Sequence, residues 1–173
     1  IIDLEKPQAF NIHNAKLPEY KGYNSISHAI INGDKLYYST IHKMIKEVDE
    51  GCVICERSIQ IKDNDDALSL YLKTIENVKC LFSEFIRKKL YEKNYSSVKD
   101  NGGTFYEKTT INDIRDLTKI DDEEKFERYT RALFFPPFNT AFIIKNSERV
   151  NQIPASRKYF NLDDASPQNT HVF

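Results

Sequence analysis

An α/β sheet followed by a smaller mixed α+β region is the fold class that the sequence predicts. Three observations predict it. The first half alternates β-rich stretches with segments of helical periodicity. A polar stretch from Ser96 to Thr104, carrying Gly102-Gly103, then interrupts the chain. Beyond it the chain holds a run of short elements of both kinds. The organisation expected is therefore a first unit over 1–95 and a second unit with its tail over 96–173. Apolar residues make up 40% of the 173 residues, among them 11 Phe and 10 Tyr, enough for a packed core.

Phe10-Asn11-Ile12-His13 alternates apolar and polar, as a two-faced strand does. Pro18 and Gly22 mark a loop over 14–22. Asn24 or Ser25 caps a helix to Asn32, with Ile26, Ala29 and Ile30 on one face and Gly33 as its stop. Tyr37 to Met44 and Cys52 to Ile61 are β-rich, separated by the polar turn 46–51. Leu68, Leu72, Ile75, Val78, Phe82, Ile86 and Leu90 recur at spacings of three and four, which predicts a long helix over 63–94. Its acidic start and basic Arg87-Lys88-Lys89 end suit the helix dipole. A short strand is expected at 104–108, helices at 110–117 and 121–133, and a strand at 141–144. Pro136-Pro137 stops the last helix, Asp121 to Glu124 is its acidic start, and the tail from Asn151 reads as loop.

Composition excludes several classes. Lys plus Arg is 25 and Asp plus Glu is 26, a formal charge of −1, against the basic excess of a nucleic-acid binder. No apolar run approaches the ~20 residues that span a bilayer, so no membrane segment is expected. No signal peptide opens the chain, and three cysteines do not make a disulfide framework, so a reducing cytoplasm is the expected setting. Cys52 and Cys55 stand three apart on a strand and so face opposite ways, which disfavours a shared metal. They read as buried thiols, Cys80 as packing on the long helix, and no metal site is expected. His28 and His171 read as solvated or structural, and His42 reads as a hydrogen-bonded structural histidine, in preference to one that lines the cleft.

The residues that suggest chemistry are Asn11 and His13. Two apart on a strand, they share a face, while Phe10 and Ile12 point into the core. The carboxyl ends of strands in open α/β sheets are where ligands bind. Asp49, in the turn between two later strands, can reach the same cleft. An amide to stabilise an oxyanion, an imidazole to move a proton and a carboxylate to orient it suit acyl transfer. A strand-end Asn and His serve loop hydrogen bonding as readily, so these three alone leave both readings open.

The wider string narrows the choice. Phe10-Asn11-Ile12-His13-Asn14-Ala15-Lys16-Leu17-Pro18-Glu19-Tyr20-Lys21-Gly22 resembles the Asn-x-His…Leu-Pro-x-Tyr-x-Gly segment of the folate-dependent formyltransferases. Ile26 to Asp34 resembles their next helix. Thr40 to Met44 and Val48 to Ile54 resemble their subsequent strand and Asp-x-Gly loop. Arg131-Ala132-Leu133-Phe134-Phe135-Pro136-Pro137-Phe138 is similar to a segment of the bacterial nucleotide-sugar N-formyltransferases.

The resemblance implies the C-terminal portion of a Rossmann-like formyltransferase sheet, with 1–95 as a partial catalytic core and 96–173 as a small α+β subdomain. It implies formyl transfer from N10-formyltetrahydrofolate to the amine of a dTDP-linked amino-dideoxy sugar, for surface polysaccharide, with no metal. His13 would be the general base, Asn11 the oxyanion donor and Asp49 the orienting carboxylate. Met44, Ile45, Lys46, Glu47, Val48 and Asp49 would form part of the folate-contacting wall. Tyr20, Tyr23 and Phe138 are candidates to line the thymine pocket, and Lys16, Lys21 and Arg131 to meet the diphosphate. Family members carry a Rossmann-like half before Asn-x-His, which this chain lacks, so a truncated or domain-only chain is expected. The methionyl-tRNA and glycinamide ribonucleotide enzymes of the family are alternatives, as is a non-catalytic binding or dimerisation module. The apolar C-terminal region offers a surface for a homodimer. Asn14 departs from the Pro that many relatives carry there, and Glu50 from the Gly of the purine enzyme.

Overall fold

The computed structural model describes residues 8–96 and 102–159. Its central sheet has three strands in the order β1-β3-β4: β1 Phe10–His13, β3 Leu36–Lys43 and β4 Val53–Gln60. Both pairings are antiparallel. In the β1–β3 register Asn11 lies opposite His42 and His13 opposite Thr40. The β3–β4 ladder slips between Ile41 and His42, so that Ile54 has no direct partner. Such an irregularity re-aims the side chains beside it, and here the residue beside it is His42.

One face of the sheet is covered by α2, Ala67–Arg87. Ile41, Leu81 and Phe85 form a buried cluster, and Phe10 and Ile12 pack against it as the strand alternation requires. The helix is shorter at both ends than its periodicity predicts. Asp66 stops it at the front, where its carboxylate accepts from Ser69 N at 2.8 Å and Ser69 Oγ accepts from Asp66 N at 3.0 Å. Beyond Arg87 the chain turns through Lys89 at positive φ into a single 3-10 turn, Leu90–Glu92. Cys80 is exposed on this helix, not packed on its apolar face. Cys52 and Cys55 are half-buried, and no disulfide joins them.

Helix α1, Ser25–Asn32, ends at Gly33, whose φ of 76° is the left-handed cap that glycine adopts freely. Strand β2, Tyr20–Gly22, lies within the stretch expected to be loop. It pairs in parallel with β5, Thr104–Tyr106. The second part thus returns to the first. Ala132 belongs to the same buried cluster as Ala15, Ile30, Tyr37 and Leu70.

That second part contains α3, Thr110–Asp113, which is one turn where two were expected, and α4, Glu123–Ala132. Asp122 caps α4 by accepting from Lys125 N at 2.6 Å. Strand β6, Ala141–Lys145, pairs with β7, Glu148–Gln152. The polar β7 is largely exposed, which removes the alternation by which a strand is recognised. Phe134 and Phe142 are core residues. Among the described residues no helix is long and apolar enough to cross a membrane, and no group of His, Cys, Asp and Glu could hold a metal.

Candidate active site

Strand β1 sets Asn11 and His13 on one face because Phe10 and Ile12 occupy the other. Asp49 comes to them from the β3–β4 turn. The turn is closed by Lys43 N donating to Cys52 O at 3.0 Å. Gly51 makes the closure feasible, since a Cβ there would lie 1.7 Å from the Lys43 carbonyl oxygen. Asp49 itself sits at φ 57°, a strained region for a non-glycine residue. Gly22 N donates to Asp49 Oδ2 at 3.0 Å and fixes the carboxylate. The three residues expected to act together are therefore brought together.

The carboxylate lies between two imidazoles. Asp49 Oδ2 is 3.5 Å from His13 Nδ1, and Oδ1 is 3.5 Å from His42 Nε2. The two rings are edge-to-face with centroids 6.5 Å apart. Each outer ring nitrogen meets a main-chain carbonyl: His13 Nε2 with Tyr20 O at 2.6 Å, and His42 Nδ1 with Lys43 O at 3.1 Å. A carbonyl only accepts, so both outer nitrogens carry protons. Proton traffic then falls on the inner nitrogens that face Asp49. In its neutral form His42 Nε2 accepts from Asn11 Nδ2 at 3.1 Å, leaving the second Asn11 N–H for another acceptor.

Burial pushes the Asp49 carboxyl up, but its contact with His42, the nearby His13 and the Gly22 amide outweigh burial. The net result is a carboxyl held below the ordinary range, ionised throughout the physiological span.

A cavity of about 710 Å³ meets this cluster through chain neighbours, since Asn11, His13, His42 and Asp49 are not themselves among its lining residues. Its walls continue the site along the chain. Asn14 follows His13, and Tyr23 follows Gly22. Tyr71, Phe135 and Phe138 add aromatic surface, and Lys108 and Arg115 add positive charge. The volume and the mix of apolar wall with a few polar groups are those of a small-molecule site.

The remaining expected residues divide. Tyr23 and Phe138 line this cavity and are exposed at it. Tyr20 is instead a buried core residue. Its hydroxyl donates to Asp34 at 2.5 Å and its ring stacks on Tyr106; only its carbonyl faces His13. Lys16 pairs with Glu19 at 2.7 Å, and buried Lys21 pairs with Glu50 at 3.3 Å. Arg131 donates to the Asp65 carbonyl at 2.6 Å and lines a different cavity. Along the candidate folate wall, Met44 N donates to Ala9 O at 2.8 Å, Ile45 is half-buried, and Lys46, Glu47 and Val48 are exposed before the chain turns in at Asp49. His28 is structural, buried against the Tyr106 ring at 4.0 Å between centroids. His171 lies outside the described residues.

Two residues stand out that sequence reasoning gave no such place. His42 bridges Asn11 and Asp49, and Arg115 reaches the cavity. The signal for His42 was its register opposite Asn11, which only a strand pairing reveals.

Comparison with known proteins finds formyltransferases. Residues 1–86 match the family model described as Formyl transferase. The chain is 29% identical over 167 residues to the GDP-perosamine N-formyltransferase of Brucella melitensis, covering 93% of this chain and 61% of that enzyme. It is 29% identical over 174 residues to the methionyl-tRNA formyltransferase of Mycoplasma capricolum, covering 99% of this chain and 52% of that one. The chain thus spans between half and two-thirds of the length of these relatives. The fold matches the N-formyltransferase of Helicobacter canadensis, solved with folinic acid and dTDP-3-aminofucose. That match has a TM-score of 0.68 at 24% identity, over 82% of this chain and 52% of that one. With Asn11, His13 and Asp49 converging inside it, the matched segment, residues 1–86, is a formyl transferase domain.

Proposed function

We propose that the protein to which this chain belongs moves a formyl group from N10-formyltetrahydrofolate to the amine of a nucleotide-linked amino sugar. The observation that carries the reading is the convergence of Asn11, His13 and Asp49, with a ligand-sized cavity lined by Asn14 and Tyr23, the residues that follow His13 and Gly22. Asn11 donates its second amide N–H to the formyl oxygen as it becomes an oxyanion, worth about 10²–10³-fold. His13 moves the proton released by the attacking amine, worth about 10²–10⁴-fold. Asp49 holds the imidazole and balances its charge. The exposed 46–48 loop supplies main chain against which a planar donor ring can lie.

The acceptor is read as a dTDP-linked amino-dideoxy sugar, with the product destined for surface polysaccharide. The cavity's aromatic wall supports a nucleobase. A cytoplasmic setting and a homodimer through the apolar C-terminal region belong to the same reading. The likeness to a GDP-perosamine enzyme makes the guanine nucleotide the first competitor to test. The likeness to a methionyl-tRNA enzyme makes that substrate the second, although a formal charge of −1 provides no basic excess for tRNA. The test is mass spectrometry of the full-length protein incubated with formyl-folate and, separately, dTDP-amino sugars, GDP-perosamine and methionyl-tRNA. A formyl mass gain on a nucleotide sugar is expected. Gain on the tRNA alone, or on none of them, overturns the reading.

A further inference from the structure

A nucleotide-linked acceptor carries two negative phosphates, and the three cations that the sequence offers for them are committed elsewhere. Lys16 is paired with Glu19, Lys21 with Glu50, and Arg131 with a main-chain carbonyl. Arg115 differs from all three. It is half-buried in the wall of the 710 Å³ cavity. Its Nε is shielded from solvent and has no hydrogen-bond partner. Among the described residues no carboxylate pairs with it, and the charge that acts on it is a like one, Arg149. Burial and Arg149 both work against its positive charge. Arginine is seldom buried without a partner, because desolvating a cation is costly unless an anion offsets it.

The backbone explains why the side chain stays there. Arg115 O accepts from Phe142 N at 2.9 Å, and Leu117 N donates to Phe142 O at 2.9 Å, so the segment is clamped to β6. A guanidinium on a clamped segment is pre-organised, and its planar fork matches phosphate oxygens in pairs. Lys108 adds a second charge on the same wall, and Phe135 and Phe138 provide ring faces.

We propose that Arg115 is the diphosphate-binding residue of the acceptor site, with Lys108 in support. The inference rests on the nucleotide-sugar reading above and names the group that would recognise the diphosphate portion of the substrate. Its partner is a nucleoside diphosphate moiety, recognised through charge independently of the base.

The test is calorimetric binding of dTDP, GDP and the matching free nucleosides to the full-length protein, wild type against Arg115→Gln and Arg115→Lys. Arg115→Gln is expected to weaken the nucleoside diphosphate by about 10–100-fold, the scale of lost charged hydrogen bonds. Free nucleoside binding should stay within about 3-fold, and Arg115→Lys, which keeps the charge and loses the fork, should fall between. KM for the nucleotide sugar should rise while kcat at saturation holds. Wild-type diphosphate affinity in Arg115→Gln overturns the assignment and leaves the nucleotide-sugar reading standing. Equal loss of nucleoside and diphosphate in both variants, with a lowered melting temperature, also overturns it, since that is a packing role. A wild-type protein that binds neither dTDP nor GDP overturns both.

Discussion

Oδ2 of Asp49 stands 3.5 Å from Nδ1 of His13, although one residue comes from the β3–β4 turn and the other from strand β1. The contact exists because Gly22 N holds the same oxygen at 3.0 Å. A carboxylate so placed is held below the ordinary range despite its burial, by His42, His13 and the Gly22 amide. A carboxyl whose folded value is depressed adds stability above its unfolded value and loses it as pH falls through the folded one. Asp49→Asn should therefore lower the melting temperature most near neutral pH. The gap to wild type should close as pH falls below about 4, the ordinary carboxylate value, and on through the folded one. In the full-length protein the same change should lower kcat by roughly 100-fold, on the scale of general acid–base catalysis. A melting gap that stays constant with pH would show that the carboxylate is not engaged as described.

Asn11 and His13 act at different moments of the proposed reaction, so their variants should differ. His13→Ala in the full-length protein should abolish turnover while nucleotide-sugar affinity stays within a few-fold. Asn11→Ala should lower kcat by about 10²–10³-fold with a smaller change in KM, because an oxyanion donor acts on the transition state. Steady-state kinetics with isothermal binding separates them. A His13→Ala enzyme with normal turnover removes the imidazole from the mechanism, and a KM-dominated Asn11 effect makes the amide a binding group.

His42 connects the other two positions. Its Nε2 takes the Asn11 amide at 3.1 Å and also lies 3.5 Å from Asp49 Oδ1. His42→Ala should lower kcat by about 10-fold or more with little change in KM. His42→Gln, whose carbonyl can still accept from Asn11, should recover part of that loss. Equal kcat in the two variants, at matched melting temperatures, would show that the Asn11 contact does not matter.

The strand Phe10–His13 was legible because its alternation answers one local question, which face is buried, and Phe10 and Ile12 do pack on the α2 cluster. Asp49 was legible from its place in the turn between two strands and from its resemblance to a known loop, but nothing local says that a turn carboxylate folds back. His42 was not, because its neighbours depend on the β1–β3 register and on the slip at Ile41 and His42. Arg115 was not either. With 25 Lys and Arg in the chain, only the fold tells which cations have found a carboxylate. Strand β7 escaped because an exposed strand carries polar residues on both faces.

His28 provides a last check on the frame around the site. It is buried, its ring stacks on Tyr106 at 4.0 Å, and Nε2 has no hydrogen-bond partner. Burial lowers its pKa, because a charged imidazole there would lose its hydration. The unfolded chain then takes up a proton at a higher pH than the folded one. Stability is fully present above about pH 6.5, the ordinary histidine value, and declines as pH falls below it. Tyr106 belongs to β5, which pairs with the β2 strand carrying Gly22, so a loosened His28 stack reaches the amide that holds Asp49. His28→Phe keeps an aromatic ring against Tyr106 without the titrating group. Its stability should fall less than that of wild type between about pH 6.5 and pH 5, read by chemical denaturation across that range. Parallel pH dependences for the two proteins would show that His28 titrates alike in the folded and unfolded chains.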